Sequence, residues 1–279
     1  MSEHRRVGLI GDPVEHSLSP AFQQPAFDAL GLDIRYELWP TPLALLPDRL
    51  ADLRAGRAIG ANVTVPYKEA AFAAVDEASD LARRAGAVNT IVPRDGRLYG
   101  DNTDIYGFIV PLAERGVRFS EMEAMVLGAG GAARGIVVAL LDAGVRRVHV
   151  LNRTVERADR LAVALADDRV VSAATTLATL LAPAATLLVN ATSLGWQGQE
   201  LPLDPSVFAG LPRHAIAYDL TYRETPFLRA ARDARLATID GLPMLVHQGA
   251  RSFELWTGHD APTDVMWSAA VAARAARGG

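Results

Sequence analysis

At 279 residues the chain is longer than one typical domain of about 100–200 residues and fits two; half of it is hydrophobic and 22% charged, the balance of a globular protein with a sizeable core. A formal net charge of −4, with no basic run, offers nothing to a polyanion such as nucleic acid. There is no cysteine, which excludes disulfides, thiolate chemistry and cysteine-held metal centres, and no uninterrupted apolar run of about 18 residues or signal-peptide core, so a cytoplasmic protein without a membrane partner is expected.

Short apolar runs alternate with amphipathic helical stretches, the pattern of a parallel α/β architecture. Residues 7–10 read as a strand. Ser19 reads as the cap of a helix, Pro20 as its first residue and Gly31 as its stop. A strand over 34–39, a helix over 43–54 ended by Gly56, and a short buried strand over 61–64 follow, with Pro66 opening the next helix. Residues 88–92 and 98–99 flank Arg94-Asp95-Gly96-Arg97, a hairpin turn with Asp-Gly at its centre. Asn102-Thr103-Asp104 ends a strand and begins a helix. A second block starts near Glu123, with strands over 124–127, 147–151, 170–172, 187–190, 216–220 and 237–239 separated by helices, enough for a complete doubly wound sheet. From Pro243 onward the chain reads as two helices, and their periodicity does not say which block they pack on.

The sharpest local signal is a strand running into Gly128-Ala129-Gly130-Gly131-Ala132-Ala133, then a helix to about Asp142 with Gly144 as its stop. This is the dinucleotide fingerprint G-x-G-x-x-A in its proper setting. Gly128 permits the tight turn, Gly130 lets a pyrophosphate approach, and Ala133 lets the helix press on the strand. The phosphates would sit over the helix N-terminus, where free N–H groups favour anions. The second strand of this block ends Leu151-Asn152-Arg153-Thr154, with Arg157 one turn on. An NAD site would carry Asp or Glu there for the ribose 2′-hydroxyl; arginine suits the 2′-phosphate of NADP instead. The only nearby acid, Glu156, is one helical turn in. The bland alternative is a pair of solvated helix-start arginines.

In the first block, His16-Ser17-Leu18-Ser19-Pro20 follows a strand and opens a helix, so two hydroxyls and backbone N–H groups make a carboxylate socket; alternatively Ser19 is merely a cap. Asn62 and Thr64 alternate to one side of their strand. Lys68 falls on the first turn of a helix, a poor place for a cation, so it is either solvated or held by a carboxylate for chemistry. Asn89 is an amide in an apolar strand. Asp104 is either a helix cap or such a carboxylate, and spacing alone cannot bring it to Lys68. The six histidines form no HxxxH pair or other metal-ligand spacing, and there is no Gly-x-Ser-x-Gly elbow or P-loop.

Taken together, these segments resemble the shikimate dehydrogenase family over nearly the whole chain. The resemblance rests on Gly11-Asp12-Pro13, His16-Ser17-Leu18-Ser19-Pro20, Asn62-Val63-Thr64-Val65-Pro66-Tyr67-Lys68, Gly86-Ala87-Val88-Asn89-Thr90 and Asn102-Thr103-Asp104 in the first block. It continues through Gly128-Ala129-Gly130-Gly131-Ala132, Asn152-Arg153-Thr154, Val189-Asn190-Ala191-Thr192, Tyr218-Asp219 with Tyr222, and the run from Asp240 through Gly241, Met244 and Gln248 to Gly249. Each piece is weak; their joint order and spacing are specific.

The resemblance implies two α/β domains: a substrate-binding catalytic domain from 1–104 completed by the C-terminal helices of 243–279, and a doubly wound NADP-binding Rossmann domain over 105–242. It implies reversible NADPH-dependent reduction of 3-dehydroshikimate to shikimate in aromatic amino acid biosynthesis, without a metal, by a monomer or homodimer. It implies that Ser17 and Ser19 bind the substrate carboxylate with Tyr222 assisting, that Asn62, Thr64, Asn89 and Gln248 bind ring hydroxyls, and that Lys68 and Asp104 form the catalytic dyad. Gly128, Ala129, Gly130, Gly131, Ala132, Asn152, Arg153, Thr154, Arg157 and Thr192 would hold the cofactor, with Leu220, Gly241 and Met244 beside its nicotinamide. Two departures stand out: Gln23-Gln24 where the family often has His-Asn, and Ile105-Tyr106 before Gly107 where it commonly has glycine directly after Asn-Thr-Asp. Both bear on packing beneath the site. Related readings are a quinate/shikimate or aminoshikimate dehydrogenase, a methylenetetrahydrofolate dehydrogenase, which needs a pterin pocket, and a silent shikimate sensor, which retention of both Lys68 and Asp104 speaks against.

Overall fold

A computed structural model of the chain describes residues 5–195 and 198–277. The chain divides into two compact units, Met1–Gly107 with Leu245–Gly279, and Phe108–Met244. No described helix is long and apolar enough to cross a membrane.

The first unit contains strands β1 (Arg5–Gly11), β2 (Ile34–Pro40), β3 (Gly60–Val63), β4 (Glu77–Ala78), β5 (Thr90–Arg94) and β6 (Arg97–Asp101), and helices α1 (Ser19–Ala29), α2 (Leu46–Arg54), α3 (Lys68–Ala74), α4 (Asp80–Ala85) and the start of α5 (Thr103–Ala113). Its six strands lie in the order β2-β1-β3-β5-β6-β4. The sheet is mixed, not wholly parallel: β1 runs parallel to β2 and β3, but β5 is antiparallel to both β3 and β6. The reversal is made at Asp95 and Gly96, whose φ values of 50° and 75° give the primed two-residue hairpin that suits strand twist. Strand β4 is only two residues long, too short for any hydrophobic period to announce it.

Two helix starts differ from expectation. Ser19 is not the cap of α1 but its first residue, preceded by Leu18, with Pro20 second. The Ser17 hydroxyl accepts the Ser19 N–H at 3.1 Å, doing the capping from two residues upstream. Pro66 does not open α3. Residues 64–67 form a turn closed by the Tyr67 N–H on the Thr64 carbonyl, and the helix begins at Lys68.

Ile10, Trp39, Leu50, Leu53, Val63, Val88, Ile91 and Leu98 form one apolar core of this unit. The strands come close under two indoles. A Cβ on Gly8 would stand 2.2 Å from the Trp39 ring, and one on Gly60 equally close to Trp256. Trp256 belongs to α11 (Gly241–Thr257), and its Nε1 donates to the Ile91 carbonyl at 3.1 Å. Phe253 of the same helix stacks on Phe27 of α1 at 4.9 Å, and α12 (Thr263–Ala276) packs along α1.

The second unit alternates β7 (Glu123–Leu127), α6 (Gly131–Asp142), β8 (Arg147–Asn152), α7 (Val155–Leu165), β9 (Val170–Ala174), α8 (Ala178–Leu181), β10 (Leu187–Asn190), α9 (Ser206–Gly210), β11 (Ile216–Asp219), α10 (Pro226–Asp233) and β12 (Ala237–Ile239). The strand order β12-β11-β10-β7-β8-β9, parallel throughout, is the doubly wound arrangement, with the order reversing between β7 and β10. Its strands β7, β10 and β11 are buried on both faces, which is why they read as continuous apolar runs.

Candidate functional site

In the first unit, Lys68 is the first residue of α3 and Asp104 the second of α5. The Lys68 ammonium donates to Asp104 Oδ2 at 2.5 Å, with the two side chains 30% and 22% exposed. Asp104 therefore lies inside its helix, and its carboxylate serves lysine as well as the helix N-terminus. A cation at the start of α3 opposes that helix's dipole; the Asp104 charge offsets the conflict. Lys68 is further tied through its backbone, whose carbonyl accepts the Val88 N–H at 2.9 Å.

Behind the pair runs a buried polar network. Asn89 Oδ1 accepts the Thr103 N–H at 2.7 Å, so an amide from outside the helix satisfies the start of α5 immediately before Asp104. Asn89 Nδ2 donates to Thr103 Oγ1 at 3.0 Å and to Gln248 Oε1 at 3.4 Å. Asn62 lies deeper. Its Oδ1 accepts from the Tyr36 hydroxyl at 2.8 Å, and its Nδ2 faces the Asn89 carbonyl, Thr90 Oγ1 and Ser252 Oγ at 3.0–3.2 Å. Burial pushes the Tyr36 phenol far above its ordinary pKa, opposed only by a hydrogen bond with Ser19, so Tyr36 remains a neutral donor. Tyr36 thereby joins the Ser17/Ser19 turn, where the Ser17 hydroxyl donates to Ser19 Oγ at 3.1 Å, to the Asn62 cluster. Thr64 is half-buried over Gly11, where a Cβ would stand 2.5 Å from its methyl group.

The two glutamines that depart from the family pattern are structural. Gln23 Nε2 donates to the Gly249 carbonyl at 2.9 Å, linking α1 to α11, and Gln24 Oε1 accepts the Tyr36 N–H at 2.9 Å, linking α1 to β2. Sequence reasoning did not single out Tyr36, Thr90, Thr103 or Ser252. Only Ser252 carried a usable signal: it stands four residues after Gln248, on the same helix face.

In the second unit the glycine turn leads directly into the N-terminus of α6. Gly128 has φ +106°, and a Cβ on it would lie 3.2 Å from the Ala191 carbonyl oxygen. Gly130 caps α6 without a side-chain bond, and a Cβ there would meet nothing within 4 Å. The first-turn N–H groups of a twelve-residue helix thus open on free space, as a pyrophosphate requires. Ala133 is fully buried beneath. At the end of β8, Asn152 Nδ2 donates to the Thr154 carbonyl at 2.8 Å, and Arg153 and Arg157 are exposed. No salt bridge among the described residues engages either arginine, which fits a 2′-phosphate. Thr192 donates to Asn190 Oδ1 at 2.7 Å. Gly241 is pressed against the Leu220 carbonyl, where a Cβ would stand 2.1 Å away, and Leu220, Tyr222 and Met244 are half-buried.

Of the site residues expected from sequence, Ser17, Ser19, Asn62, Thr64, Lys68, Asn89, Asp104 and Gln248 lie in the first unit. The glycine turn, Asn152, Arg153, Thr154, Arg157, Thr192, Leu220, Tyr222, Gly241 and Met244 lie in the second.

Comparison with known proteins follows the same lines. Family models described as "Shikimate dehydrogenase substrate binding domain", "Shikimate / quinate 5-dehydrogenase" and "Shikimate 5'-dehydrogenase C-terminal domain" match residues 9–91, 111–194 and 241–271. A shikimate dehydrogenase (NADP(+)) of Symbiobacterium thermophilum is 44% identical, over 96% of this chain and 94% of its own. The corresponding protein of Thermus thermophilus is 46% identical, over 91% of this chain and 92% of its own. The crystal structure of a Thermus thermophilus shikimate 5-dehydrogenase in complex with NADP(H) and shikimate superposes with a TM-score of 0.86 at 43% identity, covering 96% of this chain and 99% of that one.

Proposed function

The chain belongs to the shikimate dehydrogenase family, and on that premise we propose that it catalyses the reversible NADPH-dependent reduction of 3-dehydroshikimate to shikimate, a step of aromatic amino acid biosynthesis. The observation that carries the mechanism is the Lys68 ammonium held on the Asp104 carboxylate. Bound NADPH supplies the hydride. Charge then builds on the ketone oxygen, and Lys68, with ammonium protons beyond the one given to Asp104, donates to it. Asp104 orients that ammonium and accepts a bond from the neighbouring ring hydroxyl. In the oxidative direction Lys68 takes the hydroxyl proton or passes it to water.

In this reading residues 1–104 and 243–279 form the substrate domain and residues 105–242 the NADP domain. Ser17, Ser19 and Tyr222 hold the carboxylate. Thr64, Asn89 and Gln248 hold ring hydroxyls, and Asn62 contributes the Oδ1 lone pair that Tyr36 leaves. The cofactor lies along the glycine turn with Arg153 and Arg157 on its 2′-phosphate, Asn152 and Thr154 beside them, and Thr192, Leu220, Gly241 and Met244 toward the nicotinamide. The enzyme works in the cytoplasm as a monomer or homodimer.

An NADP-linked absorbance assay with purified protein tests this. Shikimate oxidation is expected with NADP, and weakly or not at all with NAD. Lys68→Ala should lower kcat by about 10²–10⁴-fold while shikimate still binds. Turnover within about threefold of the parent would remove the proton-transfer role from Lys68. Because one matching family model covers both substrates, quinate belongs in the same assay.

A further inference from the structure

A second carboxylate is held as tightly as the Asp104 pair but plays no part in the proposed chemistry. Asp219, the last residue of β11, is 0% exposed. Its Oδ1 accepts the Thr221 N–H at 3.0 Å, and its Oδ2 accepts the Thr225 hydroxyl at 2.7 Å and Asn190 Nδ2 at 3.2 Å. Burial holds this carboxyl above its ordinary pKa, and those hydrogen bonds oppose the rise only in part. Each of these three hydrogen-bond partners is a donor, so the cluster is complementary to a carboxylate. Keeping an ionised group out of water is unfavourable unless it is fully hydrogen-bonded, and here three donors meet it.

Each donor leads onward to the rim at the carboxyl ends of the strands, where doubly wound sheets bind ligands. Asn190 Oδ1 accepts both the N–H and the hydroxyl of Thr192, at 3.2 and 2.7 Å. The Thr192 hydroxyl in turn accepts the Leu194 N–H at 3.2 Å. Thr225 caps α10, accepting the Leu228 N–H while donating to Asp219. The Thr221 carbonyl accepts the Gly241 N–H at 2.9 Å, and Gly241 has no room to shift against Leu220.

We propose that Asp219 is a positioning residue for the dehydrogenase reaction: its buried carboxylate sets the rim of residues 190–194 and 219–225 that carries Thr192, Leu220 and Tyr222. The proposal rests on the cofactor and substrate roles assigned to those three residues above. Replacing the carboxylate by an amide sets donor against donor at Asn190, Thr221 or Thr225, and the rim shifts although the sheet remains.

The test is a swap. Asp219→Asn should raise the Kd for NADP, measured by calorimetry, about tenfold, and lower kcat per folded molecule by a similar factor, since small misplacements near a reacting centre are costly. Asp219→Asn combined with Asn190→Asp re-pairs donor and acceptor across the 190–219 hydrogen bond while the new amide nitrogen still faces the Thr225 hydroxyl, so it should recover both constants in part, by about threefold relative to Asp219→Asn alone. A purely structural residue behaves otherwise: Tm falls while Kd and kcat, measured far below Tm, stay within about twofold. That result overturns the proposal, as does a swap that recovers Tm alone. Should Asp219→Asn fail to fold, Thr225→Val removes one donor and is judged by the same two constants. Calorimetry of NADP needs no turnover, so an error in the substrate assignment, visible as an inactive parent enzyme, stays distinguishable from an error about Asp219.

Discussion

His149 shows how one side chain sets a pH dependence away from the candidate site. It is buried on β8, with Nδ1 lacking a hydrogen-bond partner and Nε2 3.7 Å from Glu123 Oε2. The other Glu123 oxygen takes Arg146 at 2.8 Å. Burial lowers the His149 pKa below its ordinary 6.5, and the nearby Glu123 only partly opposes this. Between the lowered folded value and 6.5 the unfolded chain holds more protons, so stability rises with pH through that window. The contribution is complete above about 6.5 and is lost as acid protonates the ring. His149→Leu should therefore flatten the rise of Tm between about pH 5 and pH 7. An unchanged slope would assign the acid sensitivity to other groups. Residues of this kind are illegible in sequence. His149 sits in a strand like any half-polar position, and only its neighbour across the sheet makes it a titrating group. Tyr36 and Thr90 were missed for the same reason, since Tyr36 bonds Asn62 on another strand and Thr90 bonds Asn62, Thr103 and Ser252 on other elements.

Elements read better where their signals are local. The strand–glycine–helix of the second unit is contiguous, so Gly128, Gly130 and Ala133 could each be given a reason from spacing alone. The structure separates those reasons further. Gly128 needs its positive φ and has the Ala191 carbonyl against it, whereas Gly130 sits in extended backbone facing open space. The two should respond differently. Gly128→Ala forces a side chain into strained backbone and should lower Tm, at a cost of about 1–2 kcal/mol. Gly130→Val, in extended backbone with open space around it, should cost only the poorer N-cap in Tm yet weaken NADP binding by about tenfold or more, because its side chain occupies the pyrophosphate's approach. Equal effects on Tm would mean that the turn is not divided in this way. Helix starts in the first unit were read less well, and the reason is again physical. Ser19 looked like a cap because it precedes Pro20, but Ser17 performs that task from two residues back. Pro66 looked like a helix opener, but the chain completes a turn at Tyr67 before α3 begins.

At the scale of the whole molecule, periodicity could describe the chain from Pro243 onward as helical but could not say what it covers, because its partners are more than a hundred residues earlier. In the structure it closes the first unit. Ser252 bonds Asn62, Thr90 and Thr103, Trp256 bonds the Ile91 carbonyl, and α12 lies on α1. Val246, Phe253 and Met266 are all at most 1% exposed. Burying three such side chains contributes about 5–9 kcal/mol, on the scale of a whole domain's stability of about 5–15 kcal/mol. Their loss would also open the buried Asn62–Thr90–Thr103 network, which Ser252 closes, to water. The second unit, by contrast, is one contiguous stretch with its own sheet and core. A chain ending at Met244 is therefore expected to keep the second unit folded and lose the first. Hydrogen exchange reads this directly: amides of β7, β10 and β11 should stay protected while those of β1, β3 and β5 exchange as in an unfolded chain. Protection of β3 and β5 in the shortened chain would mean that the C-terminal helices decorate a unit already stable without them, and the large effect assigned to their buried side chains would be wrong.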